Sequence, residues 1–286
     1  MEAHFSFIIL TYNEECHLPG LFNAISGLNA PVYVLDTGST DRTLDLCEQF
    51  GAITAVHPFY NHPVQWQVAL DLFPVNTPWI IGLDADQRPD KELFDSLRAF
   101  RDEDYPAING IYFRRRYFFK GKWIRFGGCY PMYQLKMFRR GAGYSDLNEN
   151  TDHRFVVHGR SVNWKNGFLV EDNQKDRVIS FWIQKHNRYS DLFAQEEIER
   201  RELIRVQVIK PGLYGTPDQR RALLKLLWWK LPRYIRPGLY FIFRLIFQLG
   251  ILDGRTGILY HFLQAFWFRL LVDIKIGEMD REQKHL

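Results

Sequence analysis

Three short, nearly continuous apolar runs punctuate the first part of the chain: Phe5–Leu10, Val32–Leu35 and Trp79–Leu83. Runs of this length, apolar on both faces and separated by helical patterns, predict buried parallel strands. Glu14–Leu28, Thr40–Phe50 and Gln65–Phe73 carry the helical periodicity. Ser39 or Thr40 is the expected N-cap of the second helix, with Asp41 in its first turn. Farther along, Ile111–Phe126 reads as aromatic β-structure and Gly127-Gly128 as a tight turn. Val178–Val208 reads as a long helix with one apolar face. The order predicts an α/β fold, a mostly parallel sheet flanked by helices.

The polar residues interrupt this pattern in one kind of place. Thr11-Tyr-Asn-Glu14 follows the first strand, Asp36 to Thr43 follows the second, and Asp84-Ala-Asp86 ends the third. In open α/β sheets the carboxyl ends of parallel strands border the ligand crevice, so the three clusters converge on one site. Asp84 and Asp86, two positions apart at a strand end, project to the same side. There they can hold a hard divalent ion by oxygen, and such an ion usually arrives with a phosphorylated ligand. The pattern favours a nucleotide-type ligand.

Composition narrows the picture only slightly. The 286 residues suffice for one large domain, or one domain and an appendage. Cys16, Cys47 and Cys129 give neither a disulfide framework nor metal-ligand spacing, so a reducing compartment is expected. Phe5–Leu10 is too short for a signal-peptide core, and no basic segment precedes it. A net charge of +4 is too mild to argue for nucleic acid.

Phe7 to Glu15 (FIILTYNEE), Val34 to Thr43 (VLDTGSTDRT) and Leu83 to Arg88 (LDADQR) together resemble the successive motifs of family 2 glycosyltransferases. The likeness is nearest to bacterial members acting on lipopolysaccharide core or related lipid-linked glycans, and it is good over residues 4–140. The resemblance implies a GT-A fold, Rossmann-like in character, and an inverting transfer from a nucleoside-diphosphate sugar, most often a UDP-sugar. It implies that Thr11, Tyr12 and Glu14 border the nucleoside, that Asp36 bonds the base, and that Ser39 and Asp41 complete that wall. Asp84 would face the ribose and metal, and Asp86 would be the principal ligand of Mg²⁺ or Mn²⁺. The family often has Glu after the second Asp, where this chain has Gln87.

Inversion also needs a group to take the acceptor's proton. The resemblance puts that base after the metal motif, where Asp152 is the first choice and Glu149 the second, with Glu171 and Asp172 as rivals. Arg114-Arg-Arg116 and Lys120-Gly-Lys122 are candidates to hold phosphate, Arg114 foremost, because Arg pairs with phosphate bidentately. Lys136, Arg139 and Arg140 read as surface residues.

Arg220 to Leu252 contains no Asp or Glu, yet it carries Arg220, Arg221, Lys225, Lys230, Arg233, Arg236 and Arg244 among Trp, Tyr and Phe. Such interleaving describes a segment lying in an anionic membrane interface. Its most apolar part, Leu239–Leu252, includes Arg244 and Gln248 and falls short of the roughly 20 apolar residues that span a bilayer. Asp253 to Gly257 reads as a turn between two amphipathic helices. The expected organisation is a catalytic domain over 1–215 and an amphipathic helical membrane-association region over 216–286. The expected protein is peripheral, at the cytoplasmic face of the inner membrane. It takes a nucleotide-sugar donor and a lipid-linked or membrane-borne glycan acceptor, with no nucleic acid partner. Self-association, as a homo-oligomer, is the second reading of the tail. A polyprenyl-phosphate acceptor needing no base, and a non-catalytic nucleotide-sugar-binding scaffold, are the competing readings of the whole.

Overall fold

The computed structural model describes residues 3–147, 153–201 and 210–284. They belong to two compact units. The first holds the chain up to Arg116, Tyr133–Leu147 and the described residues as far as Gln174. Its early elements are β1 (Phe5–Thr11), α1 (Leu18–Ile25), β2 (Val32–Asp36), α2 (Thr43–Phe50), β3 (Ile53–Val56), α3 (His62–Leu72) and β4 (Trp79–Asp84). Then come β5 (Gln87–Pro89), α4 (Lys91–Arg98) and β6 (Ile108–Phe119), whose far end enters the second unit, as does β7 (Lys122–Trp123). The first unit resumes with β8 (Met132–Arg139), β9 (Gly143–Ser145), β10 (Phe155–Val157), β11 (Arg160–Asn163) and β12 (Leu169–Glu171).

The three apolar runs are strands β1, β2 and β4, and β1 is buried along its whole length between the other two. Both pairings are parallel, and the main sheet runs β3-β2-β1-β4-β8-β6-β12-β5. Alternation along each strand sorts side chains to two cores. Phe5, Phe7, Ile9, Val32, Val34, Ile81 and Leu83 face Leu18, Phe22 and Ile25 of α1 and Leu93 and Leu97 of α4. Ile8, Leu10, Tyr33, Leu35 and Ile80 face Trp66 and Ala69 of α3 and Phe73 just after it. The unit is therefore a sheet between helices, as the pattern predicts. Strand β3 was not expected; it is an edge strand with Ile53 and Val56 exposed. Helix α3 begins earlier than its periodicity suggested, because Asn61 caps it by accepting the Val64 N–H at 2.8 Å.

The second unit takes in Tyr117–Met132 and everything described from Lys175 onward. It contains α5 (Ile179–Arg201), α6 (Pro217–Trp229), α7 (Arg236–Ile242), α8 (Gly254–His261) and α9 (Phe268–Lys284). A π-turn at Phe243–Phe247 extends α7, and another at Phe262–Trp267 joins α8 to α9. The expected turn at 253–257 is thus mostly the first turn of α8, entered at Gly254 with φ +66°. Ala194 and Ile198 of α5 pack on Phe268, Val272 and Ile276, so the unit begins well before residue 216. At its centre the Arg236 guanidinium is almost fully buried against Asp273, with Glu197 on Nη2 at 2.7 Å. Among the described residues no helix is long and apolar enough to cross a membrane.

Gly82, in the middle of β4, shows how tightly the second core closes. A Cβ there would fall inside the Phe155 ring and against Trp66. Gly82→Ala is expected to lower the unfolding free energy by about 1–3 kcal/mol through overpacking, read by urea denaturation. A variant as stable as the parent would show that this core can yield.

Candidate functional site

Parallel register builds the site. Thr11 lies opposite Asp36 and Leu10 opposite Asp84, so the ends of β2, β1 and β4 form one row. With strands about 4.8 Å apart, that row spans roughly 10 Å from Asp36 to Asp84.

Asp36 is fully buried and its carboxylate accepts four hydrogen bonds. Thr11 Oγ1 (2.7 Å) and Ser39 Oγ (2.6 Å) donate to Oδ2, while the N–H groups of Gly38 (2.8 Å) and Ser39 (2.7 Å) donate to Oδ1. A carboxylate has about four lone-pair sites, so these fill it. Asp36 therefore sets the loop's shape, and a base contact through its side chain would have to displace one of these donors. Ser39 Oγ also accepts the Asn13 N–H at 2.7 Å. Asn13, at φ +53°, accepts the Thr40 N–H on Oδ1 at 2.8 Å. Neither Ser39 nor Thr40 caps α2 as expected, because both are bound across to the first loop. The helix starts at Thr43, whose N–H is accepted by Asp41 Oδ1 at 3.0 Å. Asp41 Oδ2 takes the Glu15 N–H, and Thr43 Oγ1 takes the Glu14 N–H. The first two polar clusters are thus one cross-bonded structure, above which the Tyr12 side chain stands 57% exposed.

Glu14 pairs with His17 Nδ1, and His17 Nε2 lies 2.8 Å from the Gln174 N–H. A backbone amide can only donate, so Nε2 is the acceptor and Nδ1 carries the ring proton. Gln174 also donates from Nε2 to the Cys16 carbonyl. The first loop is thereby tied to the segment that follows β12.

The acidic pair has a partner that the sequence reading placed on the surface. Lys136 is 5% exposed, and its Nζ lies 3.0 Å from Asp84 Oδ2. Its position within Leu135-Lys-Met-Phe138 is the missed signal, since a cation inside a buried strand needs a carboxylate. Burial by itself would raise the Asp84 pKa, but the charges of Lys136, then His62 and His153, hold it below the ordinary carboxylate range. The stabilisation from this ionised pair is complete above about pH 4 and is lost as pH falls through the depressed value. Arg139, also read as a surface residue, is bound to Asp102 at 2.8 Å and lies over Trp79. Arg114 sits with its guanidinium 4.2 Å above Phe168, as Arg116 does at 3.5 Å. The cation bonded to the acidic pair is Lys136.

Gln87 has a structural reason. Its carbonyl oxygen accepts the Asp84 N–H at 3.2 Å, while its amide nitrogen donates to Glu171 Oε2 at 2.8 Å. A glutamate there would set two carboxylates against each other. Glu171 is opposite Gln87 in the antiparallel β5–β12 pair, and Arg115 Nη1 holds both its oxygens at 3.0 and 3.2 Å. Asp172 comes next; its N–H donates to the Asp86 carbonyl at 3.1 Å, and Arg88 is 4.0 Å from its Oδ2. Of the four candidate bases, Glu149 and Asp152 lie outside the described residues. Of the two described candidates, Asp172 is the one whose backbone is bonded to that of Asp86, with its carboxylate beside Arg88.

Among the described residues no group of three or more His, Cys, Asp or Glu side chains converges on a point that could hold a metal. Asp84, already paired with Lys136, and Asp86 could offer at most two carboxylate ligands to an ion that took the rest from a diphosphate and water, as Mg²⁺ does. Lys136→Met frees Asp84 and is expected to strengthen Mn²⁺ binding in the absence of nucleotide, by about tenfold if one unit charge is released. Calorimetric titration of both proteins checks this, and unchanged affinity would remove Lys136 from the metal's surroundings.

The family model described as Glycosyl transferase family 2 matches residues 6–154. The lipopolysaccharide core biosynthesis glycosyltransferase LpsC of Rhizobium meliloti is 28% identical over 278 residues, which is 91% of this chain and 90% of that one. An uncharacterised glycosyltransferase of Rickettsia bellii is 24% identical over 230 residues, covering 78% of this chain and 73% of that one. Among solved structures, S. aureus TarS 1–349 in complex with UDP aligns with 98% of this chain and 91% of its own length, at 15% identity and a TM-score of 0.45.

Proposed function

Because the chain belongs to glycosyl transferase family 2, we propose that it moves one sugar, with inversion, from a UDP-sugar to a hydroxyl of a lipid-linked or lipopolysaccharide-type saccharide. The observation that carries this reading is the contact between the third cluster and β12, Asp172 N–H to Asp86 carbonyl at 3.1 Å. It supports a reading in which a carboxylate serving the acceptor lies near those serving the departing diphosphate.

In this reading Tyr12 lies along the base, and the cross-bonded loops that hold Thr11, Glu14, Ser39 and Asp41 shape the nucleoside wall. A divalent ion, Mg²⁺ or Mn²⁺, bound by Asp86 with Asp84 would neutralise charge growing on the diphosphate. Lys136 adds a fixed cation beside it. Asp172 takes the acceptor hydroxyl's proton. The oxygen's electron pair forms the new bond to the anomeric carbon, and the old bond's pair leaves with the diphosphate. Glu171, filled by Arg115 and Gln87, keeps β12 in register with β5 and so positions Asp172. Asp152 and Glu149, which lie outside the described residues, stand beside Asp172 as candidates for the same role. The acceptor class and a site of action at the cytoplasmic face of a membrane are supported by the LpsC relative, named for lipopolysaccharide core biosynthesis, and by the cationic, aromatic tail.

Asp172→Asn is expected to lower kcat by about 10²–10⁴-fold while UDP affinity stays within about twofold. Asp86→Ala is expected to abolish Mn²⁺-dependent UDP binding. If Asp172→Asn transfers normally and Asp152→Asn does not, the base is Asp152. If every candidate carboxylate can be neutralised without loss, the acceptor is a polyprenyl phosphate. UDP binding without turnover of any sugar nucleotide would leave the scaffold reading.

A further inference from the structure

We propose that the hairpin from α7 through α8 is a preformed wedge that enters one leaflet of an anionic bilayer. This rests on the membrane-surface reading above and adds which face inserts and which cations meet lipid.

The apolar side chains of the hairpin are displayed, and they are displayed in order. Leu239, Ile242, Phe243, Ile246 and Phe247 are all exposed, Phe247 at 73%. Their spacing of three and one puts them on one face of α7 and its π-turn. The opposite face is buried through Arg236, Pro237 and Arg244. Leu249, Ile251 and Leu252 at the tip are also exposed, and Ile258, Leu259 and Phe262 continue the surface on the returning helix. The two arms are neighbours, since the Phe241 ring packs on those of Phe262 and Phe266 at 6.0 and 6.3 Å. A monomer in water seldom keeps an apolar surface this continuous without a partner for it.

The tip is held in place from beneath by buried polar groups. Arg244 Nε donates to the Gly127 carbonyl at 2.6 Å and Nη2 to Cys129 Sγ at 2.8 Å. The Gly127 N–H donates to the Gln248 carbonyl at 2.8 Å. Asp253 accepts the N–H groups of Arg125 and Phe126 at 3.1 and 2.8 Å. His261, fully buried below the tip, is driven to a pKa of about 4 by burial and then by the Arg244 charge. A preformed apolar tip loses little conformational entropy on insertion, which favours binding.

Charge selects the partner. From Arg220 to Ile276 the only carboxylates are Asp253 and Asp273. Both are buried, the first on backbone N–H groups and the second on Arg236. The exposed charges of this stretch are therefore all positive, with Lys230 ahead of the hairpin and Arg255 in the first turn of α8. A second copy of the chain would set cations against cations on an apolar contact. An anionic lipid surface supplies both the counter-charge and an apolar interior about 5–10 Å below the headgroups, the depth reached by interfacial helices.

The test is flotation of the purified full chain with phosphatidylcholine vesicles, with and without phosphatidylglycerol. The parent should float with the anionic vesicles, less so at raised salt. Phe247→Ser/Leu252→Ser, both at exposed positions, should partition about tenfold less. Lys230→Glu/Arg255→Glu should lose the preference for anionic lipid. Circular dichroism and UDP-dependent thermal stabilisation confirm that each variant is folded. The proposal is overturned if the parent stays in the aqueous fraction, or if the Ser variant floats as the parent does. It is also overturned if the Ser variant instead dissolves a dimer seen by sedimentation. Turnover of sugar nucleotides by the same preparations distinguishes the two readings. Turnover without flotation overturns the wedge alone, and flotation without turnover overturns the transferase reading alone.

Discussion

The complete burial of β1 is the constraint on which the first unit depends. A strand with no solvated face, paired in parallel on both sides, needs a helix layer above and another below. Helices α1 and α4 cover one side and α3 the other. The crossovers between parallel strands then return the chain to the same edge of the sheet each time. The polar residues that end the strands collect at the opposite edge, where Thr11, Asp36 and Asp84 fall into one row. The site is a by-product of winding the sheet, and its chemistry is written into the loops that the winding leaves exposed.

Those loops are held by charge satisfaction more than by packing. Asp36 is filled by four donors from two motifs, and Glu171 by Arg115 and Gln87. A carboxylate satisfied in this way is a fixed strut, because any displacement leaves an unpaired charge in a poorly solvated place. Asp84 is different in kind, since the partner that offsets its charge is the buried ammonium of Lys136 and not a set of backbone and hydroxyl donors. Asp172 and Asp86 are joined through the backbone, and the Asp172 carboxylate lies beside Arg88.

Much of this was legible in the residues. The strands β1, β2 and β4 and their polar ends follow from hydrophobic runs, because burial on both faces leaves no other pattern. Strand β3 was missed because an edge strand with Ile53 and Val56 in solvent has no such signature. The start of α2 was misplaced because Ser39, a good cap by composition, is engaged by Asp36 and Asn13. Sequence spacing cannot show that competition. Lys136 was misread because its partner is 52 positions away. The neighbourhood of Asp172 and Asp86 was not visible because the β5–β12 pairing that joins them is a long-range contact with no local trace.

The same limit explains the basic tail, where seven cations look alike in the sequence and separate in the structure. Arg236 needs Asp273, and Arg244 needs the Gly127 carbonyl, because a guanidinium taken out of water must find acceptors wherever the fold supplies them. These two are internal braces that hold the helices in place. Lys230 stays exposed and carries the outward charge. What composition suggested as a uniformly basic amphipathic segment is thus two populations with opposite solvation. The buried population stiffens the unit that displays the apolar surface, and the exposed one gives that surface its sign. An interface of this kind follows from the neutralisation of Asp253 and Asp273 as much as from the presence of arginine and lysine.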